Sequence, residues 1–261
     1  MKILITGANG YLGKLLSAEF VDHDLILWSR SGNSAYGKIN RICKDLDDST
    51  WWSAIQLPDN LDVVIHLAEV VKINKSKDNI NNIIFSHNHF LTQCCKNVPI
   101  VIYPDTAYKY DTQITTDASA YLGVKISVIE QLRVNKNFYH PVIHPILNGA
   151  GALAALCMMQ KKIPYVNIFC DFDAEIPYST ESSLLNSFND LLSGDSSLSN
   201  DWYCGIAKIS NLMLVKSRMD IFWMSSLLKI FISFFKFHPS VNILIRGRRI
   251  VHSSEIDKGI R

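Results

Sequence analysis

Tyr121 and Lys125 are the residues whose types and spacing point most directly to catalysis. They lie four positions apart within 118–135, a stretch with helical periodicity, so both side chains share one helix face. A free phenol has a pKa of about 10, and an adjacent ammonium group stabilises its phenolate. Such a pair can act as a general acid or base on a carbinol or a carbonyl. Because Tyr-x-x-x-Lys also arises by chance in many helices, the pair needs partners elsewhere in the chain.

Thr106 is the candidate partner of this pair. It follows the strand candidate Ile100–Tyr103 in the stretch "VIYPDTAYKYD". Open α/β sheets bind their ligands beyond the carboxyl ends of the strands. The position therefore predicts that the Thr106 hydroxyl holds a substrate oxygen against Tyr121, and the alternative is a turn residue without chemistry.

The stretch "TGANGYLG" at residues 6–13 is a candidate phosphate cradle between a strand and a helix. Unpaired N–H groups and the helix dipole attract a pyrophosphate at such a helix N-terminus. Gly7 permits the tight turn, Gly10 lets the backbone approach the phosphates, and Gly13 allows close packing of helix and strand. A glycine-rich turn without a ligand is the alternative. The loop residues predicted to bind the cofactor are Gly7, Asn9, Gly10, Tyr11, Leu12 and Gly13.

The end of the second strand candidate bears on the choice of cofactor. NAD enzymes commonly place a carboxylate there for the ribose 2′-hydroxyl, whereas an arginine accommodates the 2′-phosphate of NADP. Here the strand ends in Ser29-Arg30-Ser31, without an acid. A permanently charged guanidinium and two hydroxyls favour NADP as the cofactor. If Arg30 is only a solvated loop residue, the cofactor is NAD.

The elements that must position these residues alternate between strand and helix, which is typical of a parallel sheet with crossover helices. The strand candidates are Lys2–Thr6, Leu25–Ser29, Leu61–Leu67, Ile100–Tyr103 and Pro141–His144. The helix candidates are Tyr11–Val21, Trp51–Ile55, Ile80–Lys96 and Ala118–Asn135. We predict an α/β Rossmann fold with a doubly wound parallel sheet. Residues 1–150 would form the NADP-binding domain, and 151–261 a small substrate lobe interleaved with the Rossmann core.

Composition fits a cytoplasmic enzyme. The 261 residues are 48% apolar, with a formal net charge of +2, and are long enough to bury a full core. The six cysteines show neither C-x-x-C pairs nor metal-ligand spacing, so we expect reduced thiols and no metal. A strand candidate beginning at Lys2 leads us to expect no signal peptide. Nucleic-acid binding is poorly supported, because the basic residues follow no recognised module.

The last 54 residues differ in charge from the rest of the chain. Residues 208–261 hold 10 basic and 3 acidic side chains. Within them Ile221–Phe237 is apolar but shorter than the roughly 20 residues of a bilayer span. One interpretation is a helix buried in the small lobe. The other is a peripheral contact of 221–249 with an anionic membrane face, aided by Arg246, Arg248 and Arg249.

Four motifs, in the same order, resemble those of the extended short-chain dehydrogenase/reductase family, which includes NAD-dependent epimerases and dehydratases. The similarity spans roughly residues 1–165. The motifs are the glycine loop, "DVVIHLA" at Asp62–Ala68, Thr106, and Tyr121 and Lys125 with Glu130. Within this family the chain looks most like bacterial nucleotide-sugar 4-reductases and 4-epimerases of surface-polysaccharide and O-antigen biosynthesis. The resemblance implies that Thr106, Tyr121 and Lys125 are catalytic and that Tyr121 and Lys125 also contact the cofactor.

The resemblance also implies further cofactor contacts. "KDLDD" at Lys44–Asp48 is similar to the family's Asp-Leu segment beside the adenine, and the His-Leu-Ala strand end of the family lies along the cofactor. Val142–Pro164 is similar to a segment that typically reads "LRPxxVYGPG", with His144 in place of the usual arginine and Ala150 in place of a proline. The contacts implied are Asp45, Leu46, Leu67, Ala68 and His144. Because family members often dimerise through the helix bearing the tyrosine and lysine, we expect a homodimer.

Three reactions share this scaffold in the family. Sugar 4,6-dehydratases carry an Asp-Glu pair directly after the catalytic threonine, where this chain has Ala107 and Tyr108, so dehydration is not expected. Epimerases hold NAD permanently, whereas reductases draw on reduced NADP. Because Arg30 indicates NADP, we expect NADPH-dependent reduction of a nucleotide-linked 4-keto-6-deoxysugar. The alternatives are an NAD-dependent nucleotide-sugar 4-epimerase and a non-enzymatic NADP-binding regulatory protein.

Overall fold

A six-stranded parallel sheet forms the centre of the fold. The computed structural model describes residues 1–32, 39–70, 76–110, 116–146, 175–194 and 201–208. The strands of these residues are β1 (Lys2–Thr6), β2 (Asp24–Ser29), β3 (Arg41–Ile42), β4 (Val63–His66), β5 (Ile100–Ile102), β6 (Asp105–Thr106), β7 (Phe138–Tyr139), β8 (Val142–Ile143), β9 (Glu175–Tyr178), β10 (Asp201–Trp202) and β11 (Gly205–Lys208). The sheet order is β3-β2-β1-β4-β5-β7, and all neighbours are parallel. This is the doubly wound order, reversing between β1 and β4, which confirms the predicted Rossmann fold.

Five α-helices and one 3₁₀ turn accompany these strands in the described residues. The helices are α1 (Tyr11–Glu19), α2 (Ser49–Ser53), α3 (Lys77–Asn97), α4 (Thr116–Leu132) and α5 (Glu181–Leu192), and the 3₁₀ turn is Ala107–Tyr110. Helix α3 begins before its predicted start because the Ser76 hydroxyl caps it, accepting the Asn79 N–H at 3.3 Å. Helix α2 likewise begins early, since the Asp48 carboxylate accepts the Trp51 N–H at 3.0 Å. Both caps are polar side chains that could have been read from the sequence.

The central strands are apolar on both sides because helices cover a doubly wound sheet. Ile3–Ile5 and Val63–Ile65 are fully buried. Aromatic rings extend this core: Trp52 packs edge-on against Phe90, with ring centres 5.4 Å apart, and against His66 at 6.0 Å. The core therefore runs up to the carboxyl end of β4, where His66 introduces the first polar side chain of that strand.

The sixth strand of the sheet differs from the predicted Pro141–His144. The strand that pairs with β5 is β7, and Val142–Ile143 forms β8 outside the six-stranded sheet. Asn137 fixes the approach to β7 by donating from its side-chain amide to the carbonyls of Cys95 (2.9 Å) and Val98 (2.7 Å). A two-residue strand held by such distant partners leaves no local pattern in the sequence.

Two compact units, interleaved in sequence, make up the chain. The first comprises Met1–Asp105, Ser119–Val142 and Ser187–Asn200, and the second comprises Thr106–Ala118, Ile143–Asn186 and Asp201–Arg261. In the second unit β9 and β11 form an antiparallel pair. The predicted domain boundary at residue 150 and the segment 221–249 lie outside the described residues. Among the described residues, no helix has the length and apolar character needed to cross a membrane.

Candidate active site

The glycine loop joins the end of β1 to the start of α1 and packs against the end of β4. Gly7 has a φ of +68°, in the left-handed region, and a Cβ there would lie 2.7 Å from the Leu67 carbonyl carbon. A Cβ on Gly13 would lie 2.4 Å from the Gly7 carbonyl oxygen. Gly10 is the N-cap of α1 and offers no side chain to cap it. The loop therefore has the tight turn, the close packing and the open helix N-terminus that a pyrophosphate site needs.

A cavity of about 540 Å³ lies at the carboxyl ends of β1, β2 and β4. This is next to the point where the strand order reverses, the usual ligand site of a doubly wound sheet. Many of the predicted cofactor residues line it: Gly7, Asn9, Gly10, Ser29, Arg30, Ser31, Asp45, Leu46, Leu67 and Ala68. The cavity is thus a single site assembled from four separate stretches of the sequence.

Arg30 and Asp45 form an ion pair at this cavity. Arg30 Nη1 donates to Asp45 Oδ1 at 2.6 Å, and the two side chains are 71% and 56% exposed. An ion pair this exposed contributes little to stability because water and salt screen it. The ion pair instead fixes a position, because it keeps the Arg30 guanidinium beside the Asp45 carboxylate at the end of β2.

Asn9 connects the glycine loop to the end of β2. Its side-chain amide donates to the Ser31 hydroxyl at 2.7 Å and to the Ser31 carbonyl at 3.1 Å. Ser29, two residues earlier, is buried at the end of the strand. Asn9 therefore links the segment that carries Arg30 to the glycine loop.

Tyr121 and Lys125 lie one turn apart on α4, as the spacing predicts. Lys125 is 3% exposed, and its ammonium forms an ion pair with the Glu69 carboxylate. The same ammonium lies 3.7 Å from the centre of the Tyr103 ring, a cation–π contact. Tyr121 is partly buried. The lysine is thus held between a carboxylate after β4 and an aromatic ring after β5.

Tyr103 is a second phenol of this site, and sequence reasoning missed it. Its side chain is fully buried, and burial raises its pKa well above the usual value, with further contributions from Glu69 and Tyr121. Tyr103 therefore stays neutral at physiological pH. Its ring faces the Lys125 ammonium, whereas its hydroxyl cannot serve as a base in this environment.

A chain of buried polar groups continues from Glu69 to the glycine loop. His87 Nε2 lies 3.9 Å from Glu69 Oε2, which is longer than a hydrogen bond. His87 Nδ1 lies 2.9 Å from His66 Nε2, and His66 Nδ1 lies 2.7 Å from Thr6 Oγ1. The Ala68 N–H donates to the same Thr6 oxygen at 3.2 Å. The cradle and the lysine are therefore connected through the interior of the first unit.

Both histidines of this chain of polar groups are neutral at physiological pH. Burial lowers the pKa of His87 from 6.5 to about 3 and lowers the pKa of His66 well below its usual value. Because Thr6 accepts from the backbone, its own proton is available for His66 Nδ1. His66 Nε2–H then donates to His87 Nδ1, which leaves His87 Nε2–H directed toward Glu69. In this assignment both hydrogen bonds of the histidines have a donor and an acceptor, and the remaining His87 N–H lies on the side of the carboxylate at 3.9 Å.

The remaining predicted residues lie elsewhere. Tyr11 and Leu12 form the first turn of α1 and, with Tyr121 and Lys125, are not among the described residues that line the cavity. Thr106 ends β6 and is partly buried. His144 is buried, with Nε2 3.5 Å from Asp201 Oδ1 and its ring edge-on to Tyr203. The roles of these residues toward substrate and cofactor stay predictions.

The sequence model of the NAD dependent epimerase/dehydratase family matches residues 3–110. These residues, which make up less than half of the 261-residue chain, are similar to that family. They include the glycine loop, the cavity residues and Thr106, and the match supports an enzyme that uses a nicotinamide dinucleotide. The search of curated proteins found no match to this sequence.

Solved structures similar to this chain share its fold at low sequence identity. A dTDP-4-dehydrorhamnose reductase from Clostridium acetobutylicum is 15% identical, with a TM-score of 0.59 over 82% of this chain and 78% of that one. A UDP-glucose 4-epimerase from Thermus thermophilus, in complex with NAD, is 12% identical, with a TM-score of 0.60 over 82% and 81%. A GalE-like L-threonine dehydrogenase from Cupriavidus necator is 12% identical, with a TM-score of 0.61 over 81% and 80%. Because three different activities occur among these structures, their likeness establishes the fold and leaves the reaction open.

Glu69 and His87 are further residues near the site that the sequence analysis did not identify, and His66 entered it only as part of the His-Leu-Ala strand end. The only local signal was the sequence "HLAE", in which a histidine and a glutamate flank the end of a buried strand. Glu69 lines the cavity, and His66 ends the strand beside it. Their partners, however, come from α3 and α4, far along the chain.

Proposed function

We propose that the chain is an NADPH-dependent reductase of a nucleotide-linked 4-keto-6-deoxysugar. The observation that carries the proposal is Arg30, whose guanidinium lines the cavity where β2 ends, between two serines and without an acid at the strand end itself. A planar, permanently charged donor is suited to the 2′-phosphate of NADP. Reductases of this family draw on that cofactor.

The residues around the cavity fit a dinucleotide. A Cβ on Gly7 would lie 2.7 Å from the Leu67 backbone, so glycine lets the loop pack closely against the end of β4. Gly10 leaves the N-terminus of α1 without a side-chain cap, which suits a pyrophosphate. The dinucleotide, when bound, supplies a hydride for the keto carbon. Lys125 would hold the nicotinamide ribose, Thr106 would orient the carbonyl, and Tyr121 would donate its phenolic proton to the developing alkoxide.

Two sequence positions argue against dehydration. Removal of water from the sugar needs an acid and a base beside the catalytic threonine, and Ala107 and Tyr108 follow Thr106 here. Ala107 is buried and carries no ionisable group. The Asp-Glu pair that dehydratases of the family carry after the threonine is therefore missing, which favours simple hydride and proton transfer to a carbonyl.

The decisive experiment compares cofactor binding by the unmodified protein and by Arg30→Ala. We expect NADPH to bind more tightly than NADH, and Arg30→Ala to weaken NADPH binding by about 1–3 kcal/mol, the range of a charge-assisted contact. Arg133→Ala is a matched control, because Arg133 also forms an exposed ion pair, with Glu130 at 3.0 Å, away from the cavity. Equal affinities for the two cofactors in the unmodified protein would overturn the NADP assignment.

Turnover is tested separately. Nucleotide-linked 4-keto-6-deoxyhexoses with NADPH should lose absorbance at about 340 nm as the nicotinamide is oxidised. Stereochemical analysis of the alcohol formed would then identify the product. If the cofactor binds but neither reduction nor epimerisation occurs, the non-enzymatic regulatory function is favoured.

An NAD-dependent 4-epimerase is the second candidate, and the Arg30–Asp45 ion pair is the observation that favours it. Asp45 partly neutralises the guanidinium and places a carboxylate at the cavity, where it can accept hydrogen bonds from ribose hydroxyls. Conversion of UDP-glucose or UDP-N-acetylglucosamine to the 4-epimer, without added reductant, would establish this alternative. Asp45→Asn separates the two, because it should strengthen NADPH binding if Arg30 contacts a 2′-phosphate.

A further inference from the structure

Among the described residues, Glu69 is the carboxylate that both lines the cofactor cavity and pairs with Lys125. Its side chain is 17% exposed, whereas that of Lys125 is 4% exposed. The two residues lie 56 positions apart in the sequence and meet because β4 ends beside α4. Glu69 therefore contacts both the cavity and the Lys125 ammonium.

The environment of Lys125 makes this counter-charge important. A buried ammonium without a partner loses its proton readily, because a medium of low polarity disfavours the charged form. The titratable or charged groups around it, from β4, α3, α4 and the residues after β5, are His66, Glu69, His87, Tyr103, Asp105 and Tyr121. Both histidines and Tyr103 are neutral at physiological pH. The Glu69 carboxylate forms an ion pair with the ammonium.

We propose that Glu69 is a positioning residue that holds the charged end of Lys125 in place beside the cofactor cavity. Its Oε1 atom binds Lys125, while Oε2 lies 3.9 Å from His87 Nε2, beyond hydrogen-bond distance. On its other side His87 is linked through His66 to Thr6, the last residue before the glycine loop. The inference rests on the proposed function, in which Lys125 binds the nicotinamide ribose.

The alternative is that the Glu69–Lys125 pair only supports the fold. A structural role predicts that removing the carboxylate lowers stability and weakens cofactor binding equally at every pH. A positioning role predicts a dependence on pH, because the loss appears where the lysine gives up its proton. The pH dependence therefore distinguishes the two roles, and stability alone does not.

The experiment measures NADPH dissociation constants by fluorescence titration, and kcat/KM for a keto-sugar nucleotide, from pH 6 to pH 10. We expect Glu69→Gln to shift the alkaline limb of both profiles downward by about one pH unit, so that NADPH binding weakens about tenfold there relative to the unmodified protein. Glu69→Asp keeps the charge on a shorter side chain. It should therefore restore the alkaline limb of both profiles, with a kcat below that of the unmodified protein. Glu19→Gln is the control, because Glu19 is exposed and hydrogen-bonded to Asn189 at 2.9 Å.

The outcomes separate this inference from the proposed function. If no keto sugar is turned over but the binding profile shifts in Glu69→Gln, the reductase proposal fails and the role of Glu69 stands. If both profiles of Glu69→Gln run parallel to those of the unmodified protein, Glu69 has no positioning role. If Glu69→Gln does not fold, Glu69→Asp is the deciding variant. The inference is overturned if its pH profiles match those of the unmodified protein both in the position of the alkaline limb and in magnitude.

Discussion

Replacing His87 with glutamine tests whether the buried polar chain is neutral in the folded protein. Burial lowers the pKa of His87 from 6.5 to about 3, so between these values the unfolded chain binds a proton and the folded chain does not. The contribution of the neutral histidine to stability is therefore fully present above pH 6.5 and is lost as the pH falls from 6.5 toward 3. Between about pH 7.5 and about pH 5 this linkage removes about 2 kcal/mol from the free energy of unfolding.

The assay is urea unfolding followed by tryptophan fluorescence, since Trp52 packs against His66 in the same cluster. Glutamine does not titrate, so the loss of stability between the two pH values should be about 2 kcal/mol smaller in His87→Gln. The difference between the proteins at the higher pH measures the change in packing and serves as the internal reference. A difference that is constant with pH, or that grows in acid, would show that His87 is protonated in the folded state and refute the assignment of hydrogen-bond donors.

Two further substitutions test the site itself. Tyr121→Phe should leave the fold and the NADPH affinity intact while lowering kcat by about 10²–10⁴, the usual contribution of a general acid; near-normal turnover would exclude this role. Gly13→Ala places a methyl group 2.4 Å from the Gly7 carbonyl oxygen and should cost about 1–3 kcal/mol of stability, with weaker cofactor binding. Gly123→Ala is its control, because a Cβ there meets nothing within 4 Å, and thermal unfolding should show it to be stabilised by about 0.5–1 kcal/mol.

The parts of the fold that could be predicted are those encoded locally. Strand β1, the glycine loop and the start of α1 follow one another within 13 residues, and the structure places each where the pattern indicates. The order of the motifs was likewise sufficient for the Rossmann architecture. The two-residue strands β3 and β7 were not predicted, because they form only by pairing with β2 and β5. Two residues are too few to show the alternation of apolar and polar side chains that predicts a strand.

The candidate site shows the same division between local and distant information. The residues that line the cavity follow strands, so rules about strand ends identified many of them. Glu69 was not predicted as a site residue, because its neighbours Lys125 and His87 lie on helices that only the tertiary fold brings near the end of β4. Arg30 was assigned from its position, but its ion pair with Asp45 depends on a loop returning from β3. That pair bears on the choice between NADP and NAD, and no local motif indicates it.

The buried polar chain is better explained by chemistry than by stability. Taking a lysine and a glutamate out of water costs several kcal/mol for each ion, and well-packed apolar residues in their place are often no less stable. His66, His87 and Thr6 add further polar groups in the interior, all of them at most 1% exposed. They cluster at the carboxyl ends of β1 and β4, beside the point where the strand order reverses and a ligand binds. A polar cluster that does not favour folding lies between the glycine loop and α4. This is the arrangement expected if, as we propose, the site needs a charged lysine in a fixed place.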